Sequence, residues 1–201
     1  MNPFETYFLL GLEHITDANG YDHILFIVAL CAVYQIYEWK KLLFLITSFT
    51  IGHSITLALA TLQVLQIPSD FIEFLIPVTI LITSFLNFSE SPQSSFNAAS
   101  REKNQFSLRR YFVAIGFGLI HGLGFSNYLQ SLLGKQQDLF VPLLSFNLGL
   151  EIGQLLIVAV VSVITFLLVN VLMIKKRDLV LTLSGATAGI SLILIGQNWI
   201  F

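Results

Sequence analysis

Histidine occurs four times, at positions 14, 23, 53 and 121, and each copy lies in or beside a run of apolar residues. Asp22 precedes His23 directly, Glu73 stands near the head of another apolar run, and Glu151 lies inside a third. Imidazole and carboxylate together suit Ni²⁺, Co²⁺, Zn²⁺ or Fe²⁺, while a single cysteine, Cys31, argues against a thiolate site and excludes an intrachain disulfide. In "SFNLGLEIGQLL", Asn147, Glu151 and Gln154 are spaced i, i+4, i+7 and form one polar stripe on a helix. The candidate metal-contacting set is therefore His14, Asp22, His23, His53, Glu73, His121 and Glu151, with Asn147 and Gln154 as supporting polar residues.

Each member also has a plainer reading. Asp22 can cap a helix and Glu73 can stabilise a first turn. His14 can be an interfacial side chain, and His53 or His121 can bond to a neighbouring helix. Asn147 and Gln154 can be interhelical glue, Cys31 packing, and Lys175–Arg177 a topology anchor.

The elements that must hold these residues are membrane helices. Charged residues make up only 11% of the chain and mean hydropathy is +0.80, and six apolar runs cover 22–38, 41–62, 69–88, 110–133, 140–172 and 179–199. Runs of this length cross a hydrocarbon core about 30 Å thick. The sequence thus predicts an all-α fold, a polytopic membrane helix bundle of six transmembrane spans, with residues 1–201 as a single transmembrane domain. The opening segment, 3–16, is too short to span and reads as interfacial or re-entrant. It has no basic n-region and no small-residue cleavage site, so it does not read as a signal peptide. Residues 89–109 are the one polar linker of any length and read as a cytoplasmic loop.

Nine of the ten basic residues fall between spans one and two, three and four, or five and six. The positive-inside rule makes that side cytoplasmic and puts both termini outside. His53 lies 12 residues beyond Lys41 and His121 lies 11 beyond Arg110, so each sits roughly 17 Å from the cytoplasmic boundary. Glu151, 13 residues after Asp138, reaches a similar depth from the other side. Ionisable groups are costly at that depth and are functional by default.

Gly118 with Gly122, and Gly149 with Gly153, form GxxxG pairs beside His121 and Glu151. Span five, at 33 residues, is long enough to tilt strongly or to break near Pro142 or Gly149. "SFTIGHSITLAL" and "SFNLGLEIGQLL", in spans two and five, share five of twelve positions, as an inverted repeat of two three-span halves would.

The strings "GLEHI", "GYDHILFIVAL", "FTIGHSITLALATL", "FGLIHGLGF" and "FNLGLEIGQL", in this order, resemble the HupE/UreJ family of small membrane proteins. The resemblance implies nickel permeation in a bacterial-type inner membrane. It also implies metal contact through a histidine followed at short distance by Asp-His, here His14, Asp22 and His23. Seven residues separate His14 from Asp22, so the Asp-His pair matches that signature more closely than His14 does. The expected function is a divalent transition-metal permease, with a Ni, Co or Zn ion as substrate or bound ion and lipid as the surrounding partner. No phosphate-binding GxxxxGK[ST] loop and no nucleic-acid-binding pattern occur; a homo-oligomer is compatible with the sequence. The alternative is an intramembrane zinc-dependent hydrolase of a lipid amide or ester, using Ser54 or Glu151 near the metal. A pH-sensing membrane subunit is a third reading.

Overall fold

Asn2 starts the first helix: its side chain accepts from the Phe4 N–H at 3.3 Å, and Pro3 fills the position where a missing N–H has no consequence. The computed structural model describes residues 2–18, 20–89, 100–133 and 139–199. Among them every regular element is helical: α1 (Pro3–Thr16), α2 (Asp22–Cys31), α3 (Trp39–Thr61), α4 (Ser69–Ser89), α5 (Ser100–Gly124), α6 (Ser126–Leu133), α7 (Phe140–Phe166) and α8 (Lys176–Gln197). A 3₁₀ turn, Ile36–Glu38, leads into α3, and a π turn, Leu167–Val171, ends α7.

Four segments are long and apolar enough to cross a membrane: Ile36–Thr61, Ser69–Ser89, Phe140–Val171 and Lys176–Gln197. Leu108–Gly124 and Ser126–Leu133, bent by 48° at Phe125, make a fifth if the pair is one crossing. The expected first span, 22–38, is not a continuous helix. α2 stops at Cys31 after 10 residues, and Gln35 and Glu38 cap each other's backbone N–H groups to begin a new turn. Of the strong tilt or break expected of span five, the break near Pro142 or Gly149 does not occur. Pro142 lies in the first turn of α7, where no intrahelical N–H bond is due, and the irregularity is instead the π turn at the other end. The loop expected over 89–109 is helical from Ser100, in keeping with the helix-forming residues of "REKNQ". Residues 90–99, with Lys135 and Asp138, lie outside the described residues. Within α4, Pro77 offers no N–H to the Glu73 carbonyl, and Asn198 Nδ2 donates to it at 3.1 Å instead.

Contacts between helices fix their directions. α3 and α5 run parallel, and so do α1 and α7, as their glycine contacts show. α4 lies antiparallel to α8, with Ser84 on Thr187 at 2.8 Å and Asn87 on Ser184 at 3.1 Å. Arg110 donates to Asn87 at 2.9 Å, so Lys41, Arg110 and Lys176 mark one basic end of the bundle. Asn87 also donates to Ala29 O at 2.7 Å, while His23 lies beside His121. α2 therefore continues toward the basic end from where α1 stops.

The two parallel pairs are built alike. A Cβ on Gly11 would fall on the Phe146 carbonyl and one on Gly149 on the Phe8 carbonyl. In the other pair, a Cβ on Gly52 would fall on the Ile115 carbonyl and one on Gly118 on the Phe49 carbonyl. Each glycine thus meets the carbonyl three residues before its partner glycine. Such backbone approach lets two apolar helices pack without a hydrophobic driving force. The match places α1 opposite α5 and α3 opposite α7 as counterparts of an inverted repeat, as the similarity of spans two and five implies. It also makes His14 and His121 counterparts, each three residues after a packing glycine.

Candidate metal centre

His14 is in the last turn of α1 and His121 in the last turn of α5, and both helices break within four residues beyond. α2 starts at the first break and brings in Asp22 and His23; α3 contributes His53 from the side. One ring nitrogen each of His14, His23 and His53 lies within 4.8 Å of the other two. His121 joins beyond His23, their ring centroids 5.0 Å apart. His53 and His121 are fully enclosed at 0% exposure, and His23 is at 5%.

Their hydrogen bonds leave a consistent remainder. His23 Nδ1 lies 3.2 Å from Asp22 Oδ1, which leaves Nε2 bare. His121 Nε2 lies 3.0 Å from Thr79 Oγ1, which leaves Nδ1 bare. His14 Nε2 and both nitrogens of His53 are also buried without a hydrogen-bond partner. An orphaned buried polar atom costs about 1–3 kcal/mol, and a histidine kept only for packing would not repeat that cost at four positions. Bare imidazole nitrogens are what a soft or borderline cation binds, and a carboxylate behind one ring raises its basicity. Donors around a tetrahedral ion stand about 3.4 Å apart, so rings whose nitrogens are spread over as much as 4.8 Å must draw inward to close on one.

Asp22 is not the N-cap of α2, a place taken by Tyr21 without a side-chain bond. Its Oδ1 accepts from the His23 N–H at 2.9 Å as well as facing the ring, so one carboxylate serves the helix start and the imidazole together. Asn147 neighbours His53, with its Nδ2 bonded to Leu143 O at 2.8 Å and its Oδ1 bare. The other two members of its stripe face lower on α3. Gln154 Oε1 accepts from Thr50 at 2.8 Å and Glu151 Oε1 from Thr47 at 2.7 Å. Thr50 and Thr47 precede His53 by three and six residues, about 4.5 and 9 Å toward the basic end. Glu73 lies on the other side, in an open cleft with Asp70, Phe71 and Trp199, six residues before Thr79. The structure therefore gathers the four histidines with Asp22, sets Asn147 beside them, and leaves Glu73, Glu151 and Gln154 above and below.

Aromatic rings close the chamber on both sides. Toward the end that carries Asp70 and Glu73, Phe125 and Phe146 stack at 4.9 Å over His14, which is 4.1 Å from Phe125. Toward the basic end, Phe26 and Phe49 meet at 4.9 Å, each 5.1 Å from His121. Phe49 and Phe146 are repeat counterparts, each three residues before a packing glycine. The recurrence of Phe-x-x-Gly at 8–11, 49–52 and 146–149 is a signal the sequence holds, whereas nothing in it singles out Thr79.

No curated protein and no solved structure shows significant similarity to the chain. A family model described as "HupE / UreJ protein" matches residues 1–201, the whole length. Long apolar helices, a histidine cluster suited to a metal ion and that match agree, and the chain belongs to the HupE/UreJ family of multi-pass membrane proteins.

Proposed function

We propose that this protein is a permease for a divalent transition metal of the nickel or cobalt kind, with the ion as substrate and the four histidines as its midway binding site. The observation that carries the reading is the set of bare imidazole nitrogens enclosed between two aromatic layers where the repeat halves meet. Midplane sites at repeat interfaces, formed where helices are broken, are the architecture of alternating-access carriers. The basic end is cytoplasmic by the positive-inside rule, so both termini lie outside an inner membrane. α1 and α2, 14 and 10 residues in series, supply about 36 Å of helix and make the sixth crossing. Asp70 and Glu73 gather cations at the outer mouth. The ion reaches the chamber when Phe125 and Phe146 part and leaves when Phe26 and Phe49 part, past Asn147, Gln154 and Glu151.

The hydrolase alternative has less to rest on. Ser54 Oγ donates to Thr50 O at 2.7 Å, and Glu151 is engaged by Thr47. Purified protein in liposomes loaded with a metal-sensitive dye should give saturable Ni²⁺ or Co²⁺ uptake that His53→Ala or His121→Ala abolishes while the fold persists. No saturable uptake under any imposed gradient sinks the permease reading.

A further inference from the structure

Thr79 is almost fully buried, at 2% exposure, and its hydroxyl stands between two groups. Thr79 Oγ1 lies 2.7 Å from the carbonyl oxygen of Ile76 and 3.0 Å from Nε2 of His121. Two oxygens at 2.7 Å need a hydrogen between them, and a carbonyl has none to give. The single hydroxyl hydrogen is therefore committed to Ile76 O. Toward His121 the oxygen can only accept, so Nε2 must carry the ring proton. In a neutral imidazole that leaves the lone pair on Nδ1, the atom that is buried and bare. The other hydroxyls on this face of α4 reach no histidine: Thr83 and Ser84 bond back to the carbonyls of Thr79 and Ile80 at 2.8 and 2.9 Å, and Ser84 also meets Thr187.

We propose that Thr79 is a positioning residue that fixes His121 as the Nε2–H tautomer and so presents its Nδ1 lone pair to the chamber as a fourth nitrogen donor. The proposal rests on the metal reading of the chamber and deepens it. His23 is held the opposite way round, with Nδ1 on Asp22 and Nε2 bare. A neutral hydroxyl holds one ring and a carboxylate the other, so His121 Nδ1 is offered beside the three mutually close nitrogens of His14, His23 and His53 while only one carboxylate charge enters the chamber. A site of four imidazoles with one carboxylate behind them suits a borderline divalent ion and disfavours hard, oxygen-seeking ions such as Mg²⁺ or Ca²⁺. Partners of this kind fix ring orientation, and their loss weakens metal binding by about 10–100-fold.

Co²⁺ titration of detergent-purified protein tests this, combined with ¹⁵N NMR of histidine-labelled protein to read which ring nitrogen of His121 is protonated. Thr79→Val keeps the shape and removes the acceptor; it should weaken Co²⁺ binding at least tenfold and lose the pure Nε2–H signature. Thr79→Ser, which keeps the acceptor, should restore both. In a His121→Ala background, Thr79→Val should add nothing. Wild-type affinity in Thr79→Val, an equal loss in the His121→Ala background, or a wild-type His121 protonated on Nδ1 would each overturn the proposal. If the wild type binds no Co²⁺, the metal reading fails, and the NMR signature still decides what Thr79 does to the ring.

Discussion

Asp22 shows how one side chain can answer two readings at once. Its Oδ1 takes the His23 N–H at the start of α2 and also faces the His23 ring. Asparagine would accept both hydrogen bonds without the charge, so Asp22→Asn separates the roles. We expect thermal stability close to wild type and Co²⁺ affinity lowered by about tenfold, by titration on purified protein; unchanged affinity would leave Asp22 a helix-start residue only. His14 belongs with the same group. Spacing in the chain ranks it behind the Asp-His pair, but its nitrogen lies in the same triad as those of His23 and His53, so His14→Ala should cost as much binding as His53→Ala. Counting residues inward from the span ends set His53, His121 and Glu151 at one level, and the structure keeps the two histidines in one chamber. Depth is one coordinate only. The direction a side chain takes around its helix depends on neighbours, and it turned Glu151 toward Thr47.

The helices themselves were legible wherever a long apolar run coincided with one element, as in α3, α4, α7 and α8. The interruptions were not. Hydropathy in "CAVYQIYEW" falls only from Tyr34 and Gln35 onward, past the stop after Cys31, because the turn is made by Tyr34 N–H bonding to Cys31 O at 2.9 Å and by the Gln35–Glu38 cap. Phe125, likewise apolar, hides the bend between α5 and α6. Glycines divide by role in the same way. A Cβ at Gly118 would strike the Phe49 carbonyl, and backbone cannot give way as a flexible side chain can. Gly118→Ala should destabilise by about 1–3 kcal/mol. Gly116, two residues earlier, has open space where its Cβ would stand, and Gly116→Ala should be neutral or stabilise by up to about 1 kcal/mol. Thermal unfolding in detergent compares the two; equal effects would refute the close-packed pairing of α3 with α5.

For the whole molecule, the aromatic layers make a two-sided expectation. In a Cys31→Ser background, a cysteine placed at His53 reports who can reach the chamber. Adding Phe146→Ala should admit an impermeant thiol reagent from outside intact cells, and adding Phe49→Ala should admit it only in inverted vesicles. Labelling from the same side in both variants would contradict gating by repeat counterparts. The architecture behind this was half visible in the chain: the match between spans two and five was there to see, while the equivalence of α1 with α5 needed the two breaks to be located first.

The chamber's hydrogen bonds have an electrical consequence. On the permease reading, with every imidazole nitrogen that meets the ion offering a lone pair, the four rings add no charge beside the Asp22 carboxylate, and the centre goes from minus one without the ion to plus one with a divalent ion. A centre that reverses sign cannot be indifferent to the voltage across the bilayer: an inside-negative potential favours both inward release of the loaded form and outward return of the empty one. If the protein is the permease proposed, each turnover then carries two charges, worth about 4.6 kcal/mol per 100 mV. Metal uptake into liposomes should accelerate as a potassium diffusion potential makes the interior negative and slow when it is reversed; a rate that ignores the potential would mean that a second ion travels with the metal or against it.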